Sequence, residues 1–534
     1  MGWGVVEDRL GRSPPGTVKL SDSDQEQNFG GPTANLKKKG NVVLQPQPSD
    51  DPNDPLNWPQ GFKIANICVI AFGSAVSNAL TTMVQPGIKP MAEKFGVTEG
   101  SISSWVINSL AFWTSLASFF VVAGSDVWGR RPFYLAGILI LTGCNVMAYF
   151  ATSFPILVVA RTLTGFAAAP VFSLATASVS DIFFAHERGI FLAVWGLAIS
   201  SGGTVSQIIT GFLIDAMGVE STFLFAAIIL GVLFILAYFI LLESAYFKPR
   251  VTSSFSRSDN PVDDEEDLFP AEKIGVEVPA KRTYRQNLAV WNGRLSDMSF
   301  WAGSIKPLGM MTSPIVAYSA LLSTVLLILL AGIPTLVTIL LGSEPYSLPP
   351  SAIGLTNVPL IFVGLIAGPA MGFLSDAVTR MMARSNGTNP GVAEPEFRLV
   401  LLLIAIPITV FGVIGMAMSM DEKGSQAWIM VWNSVILLGA LTGTQTSVVY
   451  VVDAYARTSA QAFVTINGIA SLVSFIGIEP LINWFMSSGP LLVLSVIASA
   501  QVIVAICALP MYVWGKRIRA WYSRASWAQR FQNM

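Results

Sequence analysis

Polar and apolar residues in this chain gather into long blocks instead of alternating. A helix needs about twenty largely apolar residues to cross the hydrocarbon core of a bilayer. Twelve such runs follow one another, with cores near 62–84, 102–123, 133–153, 155–181, 189–214, 221–242, 311–341, 352–375, 398–420, 427–452, 461–485 and 488–514. Short charged breaks separate them, among them "GSDVWGRRPFY" from Gly124 to Tyr134. The pattern predicts an all-α integral membrane protein with twelve transmembrane helices.

Composition agrees: 52% of the 534 residues are hydrophobic and 12% charged, about half the charge of soluble domains. A net charge of -1 leaves no basic face for nucleic acid. Cys68, Cys144 and Cys507 all lie in apolar runs and His186 is the one histidine, so neither a disulfide framework nor a metal site is expected. No nucleotide-binding glycine-rich loop with lysine is present, which argues against an ATP-driven pump. No cofactor is expected, and no nucleophile, base and orienting group can be assembled from the embedded residues for an enzyme.

Lysine and arginine set the orientation. Lys89, Lys94 and Lys423 fall in loops on one side, whereas Arg130, Arg131, Arg188, Arg380, Arg457 and Lys516 share the other with both ends of the chain. The positive-inside rule makes that second side cytoplasmic. Residues 1–60 carry no signal peptide and read as a disordered cytoplasmic tail, 61–243 as a first six-helix bundle, 244–310 as a cytoplasmic linker, 311–514 as a second bundle and 515–534 as a cytoplasmic tail. The linker's acidic run Asp263–Asp267 is most simply solvated.

The halves repeat. "GFLSDAVTR", with Asp376 and Arg380 at the end of span eight, answers "SDVWGRR", with Asp126, Arg130 and Arg131 at the end of span two. Asp181 and Arg188 after span four answer Asp453 after span ten. Carboxylates and guanidinium groups at helix ends are suited to latch neighbouring helices and release them. Asp126, Arg130, Arg131, Asp181, Arg188, Asp376 and Arg380 are therefore the expected conformational latch.

These motifs, with "DPLNWPQGFK", "LVVARTLTGF", "EPEFRL", "YVVDAYA" and the stretch Glu243 to Tyr246, resemble the major facilitator superfamily, and within it the fungal twelve-helix drug/proton antiporters. The resemblance implies two halves rocking about a central substrate path, helices three, six, nine and twelve against lipid, and export of a small organic compound against protons. Two positions depart from it. Val122 and Val127 stand where the loop motif has glycine and a basic residue, and Ser206–Gln207 where the fifth helix of antiporters carries a Gly-Pro pair. Uptake or facilitated diffusion on the same fold therefore stays open, as does a non-transporting sensor.

Polar residues inside the spans concentrate away from three, six, nine and twelve. Asn78, Asn108, Trp113, Trp195, Gln207, Tyr318, Asn357, Trp432, Asn433, Gln445 and Asn467 are the expected cavity lining, apolar and amide-rich enough for an amphipathic compound. Arg161 in span four and Glu479 in span eleven are the candidates for proton coupling or substrate contact, because charges at membrane depth are costly and find partners. The expected partners are thus a small organic substrate, protons and the lipid bilayer around a monomer, most simply in the plasma membrane.

Overall fold

The computed structural model describes residues 3–6, 16–19, 37–39, 42–44, 46–246, 281–296, 298–386, 391–455 and 458–525. Among them are twelve helices long and apolar enough to cross a membrane. The first six spans are Gln60–Phe95, Glu99–Trp128, Arg131–Tyr149, Phe154–Ile182, Glu187–Met217 and Glu220–Ile240. The second six are Pro314–Gly342, Pro350–Arg384, Pro395–Asp421, Gln426–Ala454, Gln461–Ser488 and Pro490–Arg524. In lipid every backbone amide and carbonyl needs an internal partner, which is why apolar runs of this length become helices.

Local sequence sets the corners. Gly129, Gly218 and Gly489 take φ of +89°, +85° and +82° between spans two and three, five and six, and eleven and twelve. A side chain at Gly129 would run into the Glu243 carboxylate, so this corner requires glycine twice over. Proline at the first turn opens spans three, four, seven, eight, nine and twelve, where its missing amide costs nothing. Span two widens into a π-helical turn at Ser103–Asn108.

The two halves pair their helices alike. Span one lies along five, two along four and three along six; seven lies along eleven, eight along ten and nine along twelve. This is the six-plus-six duplication expected from the motifs. Spans three, six, nine and twelve carry exposed large apolar residues, for example Ile140, Phe239, Phe411 and Ile503, as helices on the lipid side do.

Four boundaries differ from the sequence reading. Span twelve does not end at 514: its last helix runs Ala508–Arg524 and is buried at Lys516 and Arg519, because two glutamates receive them. Span eight carries its Ser-Asp motif inside the helix and continues to Arg384. The linker contains a helix, Phe300–Gly309, lying on both halves: Gly303 meets Ala123 of span two, and Thr465 of span eleven donates to the Pro307 carbonyl at 2.5 Å. The acidic run Asp263–Asp267 lies outside the described residues.

The fourth difference is the N-terminal tail, which is not wholly the disordered segment expected. Trp3 Nε1 donates to the Met382 carbonyl at 3.0 Å, Tyr512 Oη to the Trp3 carbonyl at 2.7 Å and Val6 N to the Val513 carbonyl at 3.0 Å. Val5 is buried among Met382, Ala383 and Phe397. Val18–Lys19 pairs antiparallel with Val392–Ala393, and Lys38–Lys39 with Val42–Val43. A segment that precedes the first half therefore docks on the second.

Candidate functional site

Both ends of the described chain lie on one face of the bundle, called here the terminal face. The first half places a charge cluster there. Arg130 Nη1 stands 2.8 Å from Asp181 Oδ2, joining the end of span two to the end of span four. Glu243, where span six ends, accepts the backbone amides of Arg130 at 2.8 Å and Arg131 at 3.1 Å. A carboxylate at those amides complements the positive end of span three. The Arg131 guanidinium is fully buried and serves main chain instead of acid: it donates to Tyr238 O at 2.8 Å, Ala289 O at 3.1 Å and Asn287 O. Asp126 is half-buried beside Arg130 and has no ion pair among the described residues. Arg188 staples the turn between spans four and five through Phe183 O at 2.9 Å and Ser180 O at 2.5 Å.

The second half answers with a different arginine. Arg398 reaches Asp376 Oδ1 at 2.7 Å, Asp453 Oδ2 at 2.9 Å and Ser375 Oγ at 2.7 Å, tying spans eight, nine and ten. Arg380 is exposed and, among the described residues, donates only to the main-chain carbonyl of Asp376, one turn back. The expected pairing of Asp376 with Arg380 is therefore corrected: Asp376 and Asp453 pair with Arg398. Helical continuation past Asp376 turns Arg380 outward, whereas "EPEFRL" folds back as the turn Pro395–Leu401 and brings Arg398 in.

Behind it lies a cluster that the sequence reading did not anticipate. Arg519 Nη2 meets Glu394 and Glu396, each at 2.8 Å, and Lys516 Nζ meets Glu394 at 2.7 Å. Arg519 and Glu396 are fully buried there. Burial pushes the Glu394 carboxyl up, but Lys516 and Arg519 more than offset this and hold it below its ordinary value. Thr17 of the docked tail donates to the same carboxylate at 2.8 Å. The signal was the spacing of two glutamates in "EPEFRL" against two cations in "GKRIR", hidden because both stretches read as loop and tail.

At membrane depth, four of the eleven expected lining residues join helices: Asn78, Trp113, Trp195 and Trp432. Asn78 donates to Ile199 O at 2.8 Å and Trp195 to Ser74 Oγ at 3.0 Å, both between spans one and five. Asn108 and Asn357 bond within their own helices, to Ser103 O at 2.9 Å and Gly354 O at 3.3 Å. Trp113 packs on Phe166 with ring centroids 5.1 Å apart and meets Gly165 at the seam of spans two and four. Trp432 donates to Ser419 Oγ at 2.9 Å at the seam of nine and ten. Gln207, Tyr318 and Asn433 are buried, Asn467 is half-buried, and Gln445 is exposed on span ten.

Arg161 does not face a cavity. It is fully buried and donates from Nε to Val106 O at 2.7 Å and from Nη2 to Leu80 O at 2.6 Å, binding spans one, two and four together beside the Phe223 ring. Val106 lies in the π-helical turn Ser103–Asn108. Glu479 is half-buried at the face opposite the termini, where Ser101 of the other half donates to it at 2.9 Å.

That opposite face is sealed between halves. Gln85 donates to Thr335 at 3.3 Å, Lys89 to the Gly342 carbonyl at 2.8 Å, and the Ser351 amide to Asp215 at 3.0 Å. Gly211 and Gly354 let spans five and eight touch backbone to backbone, at Pro350 and at Gln207. Toward the terminal face Ser200 lies near Gly364, and beyond them Ile190 is 69% and Phe373 74% exposed.

Twelve spans in two matching halves, joined across the face opposite the termini, are the build of a membrane transporter. The chain belongs to the Major Facilitator Superfamily, whose family model matches residues 70–478. It is 26% identical to the MFS-type transporter penM of Penicillium rubens, over 94% of this chain and 93% of that one. It is 23% identical to the Trichosetin biosynthesis cluster MFS transporter of Gibberella fujikuroi, over 40% of this chain and 46% of that one. The crystal structure of the human organic anion transporter MFSD10 shares the fold, with a TM-score of 0.52 at 14% identity, over 84% of this chain and all of that one.

Proposed function

We propose that this protein exports a small amphipathic organic compound, a drug, toxin or secondary metabolite, by alternating access driven by the proton gradient. It works as a monomer in the plasma membrane with both termini cytoplasmic. The observation that carries the reading is the seal at the far face, where Lys89, Asp215 and Glu479 cross between two matching halves; the terminal face is read as the open one. A site reached from the terminal face in this state, and from the other after the halves rock, moves its occupant across. The assignment of the Gibberella relative to a trichosetin biosynthesis cluster supports a secondary metabolite as cargo. Glu479, whose hydrogen bond from Ser101 crosses the sealed face, is the residue we assign to proton coupling or substrate contact.

One observation favours uptake or facilitated diffusion as a second reading. Span five lies in an unbroken helix, Ala185–Met217, with Ser206 bonded to Thr82 Oγ1 at 3.0 Å where antiporters would have Gly-Pro. Accumulation of a labelled compound in cells with and without the protein, with and without an uncoupler, decides between them. Export lowers accumulation and the uncoupler restores it. Uptake raises it, and a sensor changes neither level.

A further inference from the structure

Two of the contacts that seal the far face share one property: a charged side chain of the first half addresses main chain of the second. Gly342 is the last residue of the helix Pro314–Gly342, and its carbonyl is one of those that a helix leaves without an internal partner at its C-terminal end. Lys89 Nζ donates to it at 2.8 Å, placing an ammonium at the negative end of span seven. Ser351 follows Pro350 at the start of span eight, and its amide is one that the first turn leaves unpaired. Asp215 accepts from it at 3.0 Å, placing a carboxylate where that span begins. The signs are complementary, cation at the carbonyl and anion at the amide, and the two cross between halves where span seven gives way to span eight.

We infer that Lys89 and Asp215 are positioning residues of the far gate, capping the end of span seven and the start of span eight from the opposite half and so holding that mouth shut while the terminal face is open. The inference rests on the alternating-access reading of the fold, but not on cargo, direction or coupling ion. Both caps exist only while the far face is closed. A contact present in one state and absent in the other shifts the balance between them by its own strength. Neither cap depends on a C-half side chain: the partners are the Gly342 carbonyl and the Ser351 amide, and a methyl group at Gly342 would meet Ile353 Cδ1 at an ordinary 3.7 Å. Substitutions at 342 and 351 that keep the backbone are therefore silent, whereas those at 89 and 215 are not.

The test needs no substrate. Cys68, Cys144 and Cys507 are replaced by serine and Thr335→Cys is introduced as a reporter at the sealed interface; purified monodisperse protein is reconstituted and treated from the far face with a membrane-impermeant thiol reagent. Lys89→Met and Asp215→Asn each raise the labelling rate about three-fold, and together about ten-fold, in line with charges at helix ends whose effects add. Lys89→Arg, Gly342→Ala and Ser351→Ala leave it at the parent rate. A second reporter, Ile190→Cys, read from the terminal face, must slow in the double variant, because the opening of one mouth closes the other. Unchanged labelling at Thr335→Cys overturns the inference. So does an equal rise with Gly342→Ala and Ser351→Ala, which marks the contact as packing, or faster labelling at both reporters, which marks a loosened fold.

Discussion

Both halves pair a terminal-face arginine with carboxylate, Arg130 with Asp181 and Arg398 with Asp376 and Asp453, but they treat their fully buried arginines differently. In the first half, Arg131 and Arg161 are fully buried and their hydrogen bonds among the described residues all go to main-chain carbonyls, those of Tyr238, Asn287 and Ala289 in one case and Val106 and Leu80 in the other. In the second, Arg519 is fully buried against two carboxylates and Arg398 bridges two more. Carbonyl dipoles solvate a guanidinium without cancelling its charge, and they stay put because the helices hold them. A carboxylate cancels the charge but becomes itself a buried ion if the arginine leaves. Loss of Arg131 or Arg161 is thus expected to cost less than loss of Arg519.

The sharpest way to break this comparison is Arg519→Leu. It leaves Glu396 buried and unpaired, and the expected loss is about 3–5 kcal/mol of stability, read as a fall in the thermal unfolding midpoint of purified protein. Combining it with Glu396→Gln returns part of that loss, a coupling that a double-mutant cycle measures directly. If Arg519→Leu is harmless, carboxylate pairing is not what holds the end of span twelve.

Arg161→Met comes next, at about 1–3 kcal/mol, since it strands two carbonyls but no charge. Cargo binding by the folded fraction stays unchanged, because the side chain reaches no cavity. A loss of binding with normal stability would restore Arg161 as a substrate residue. Arg398→Ala affects function more than fold: it cuts transport by about ten-fold while Arg380→Ala stays within about two-fold, because partly exposed pairs contribute little to stability. Equal losses in the two variants would return the latch to Arg380.

The smallest effect is in acid. Glu394 is held below its ordinary value of 4.5, so its pairing contributes stability that is fully present above that value and is lost as pH falls through the lower folded value. Unfolding followed from pH 7 downward should show Glu394→Gln starting less stable and losing less between about pH 5 and pH 3 than the parent. Parallel curves would mean that the Lys516 and Arg519 contacts do not govern its ionisation.

This contrast also explains how far the sequence could be read. Hydropathy placed all twelve spans, and the repeated Ser-Asp motifs located the terminal-face clusters, because both signals are side-chain patterns at fixed spacing. Arg130 with Asp181 was legible for the same reason. The partners of Arg131 and Arg161 were not, since a carbonyl belongs to every residue and has no signature in the sequence. Asn78 and Trp195 looked like lining residues from their polarity alone, but a polar side chain in a helix seam and one in a wet cavity carry the same letter. Arg519 was missed because it was assigned to the C-terminal tail, where a charge needs no partner, and Arg398 because it stood at the first position of the ninth run and outside the repeated Ser-Asp motifs.

The docked amino terminus has a practical consequence for reporters. A fluorescent protein fused ahead of Met1 begins two residues from Trp3, whose indole and carbonyl are both engaged by the second half, and a bulky domain there is expected to pull Val5 from its pocket and Thr17 from Glu394. Attached after Met534 instead, the same label leaves that seat filled. Localisation and turnover measured with the two fusions would then describe two differently assembled molecules.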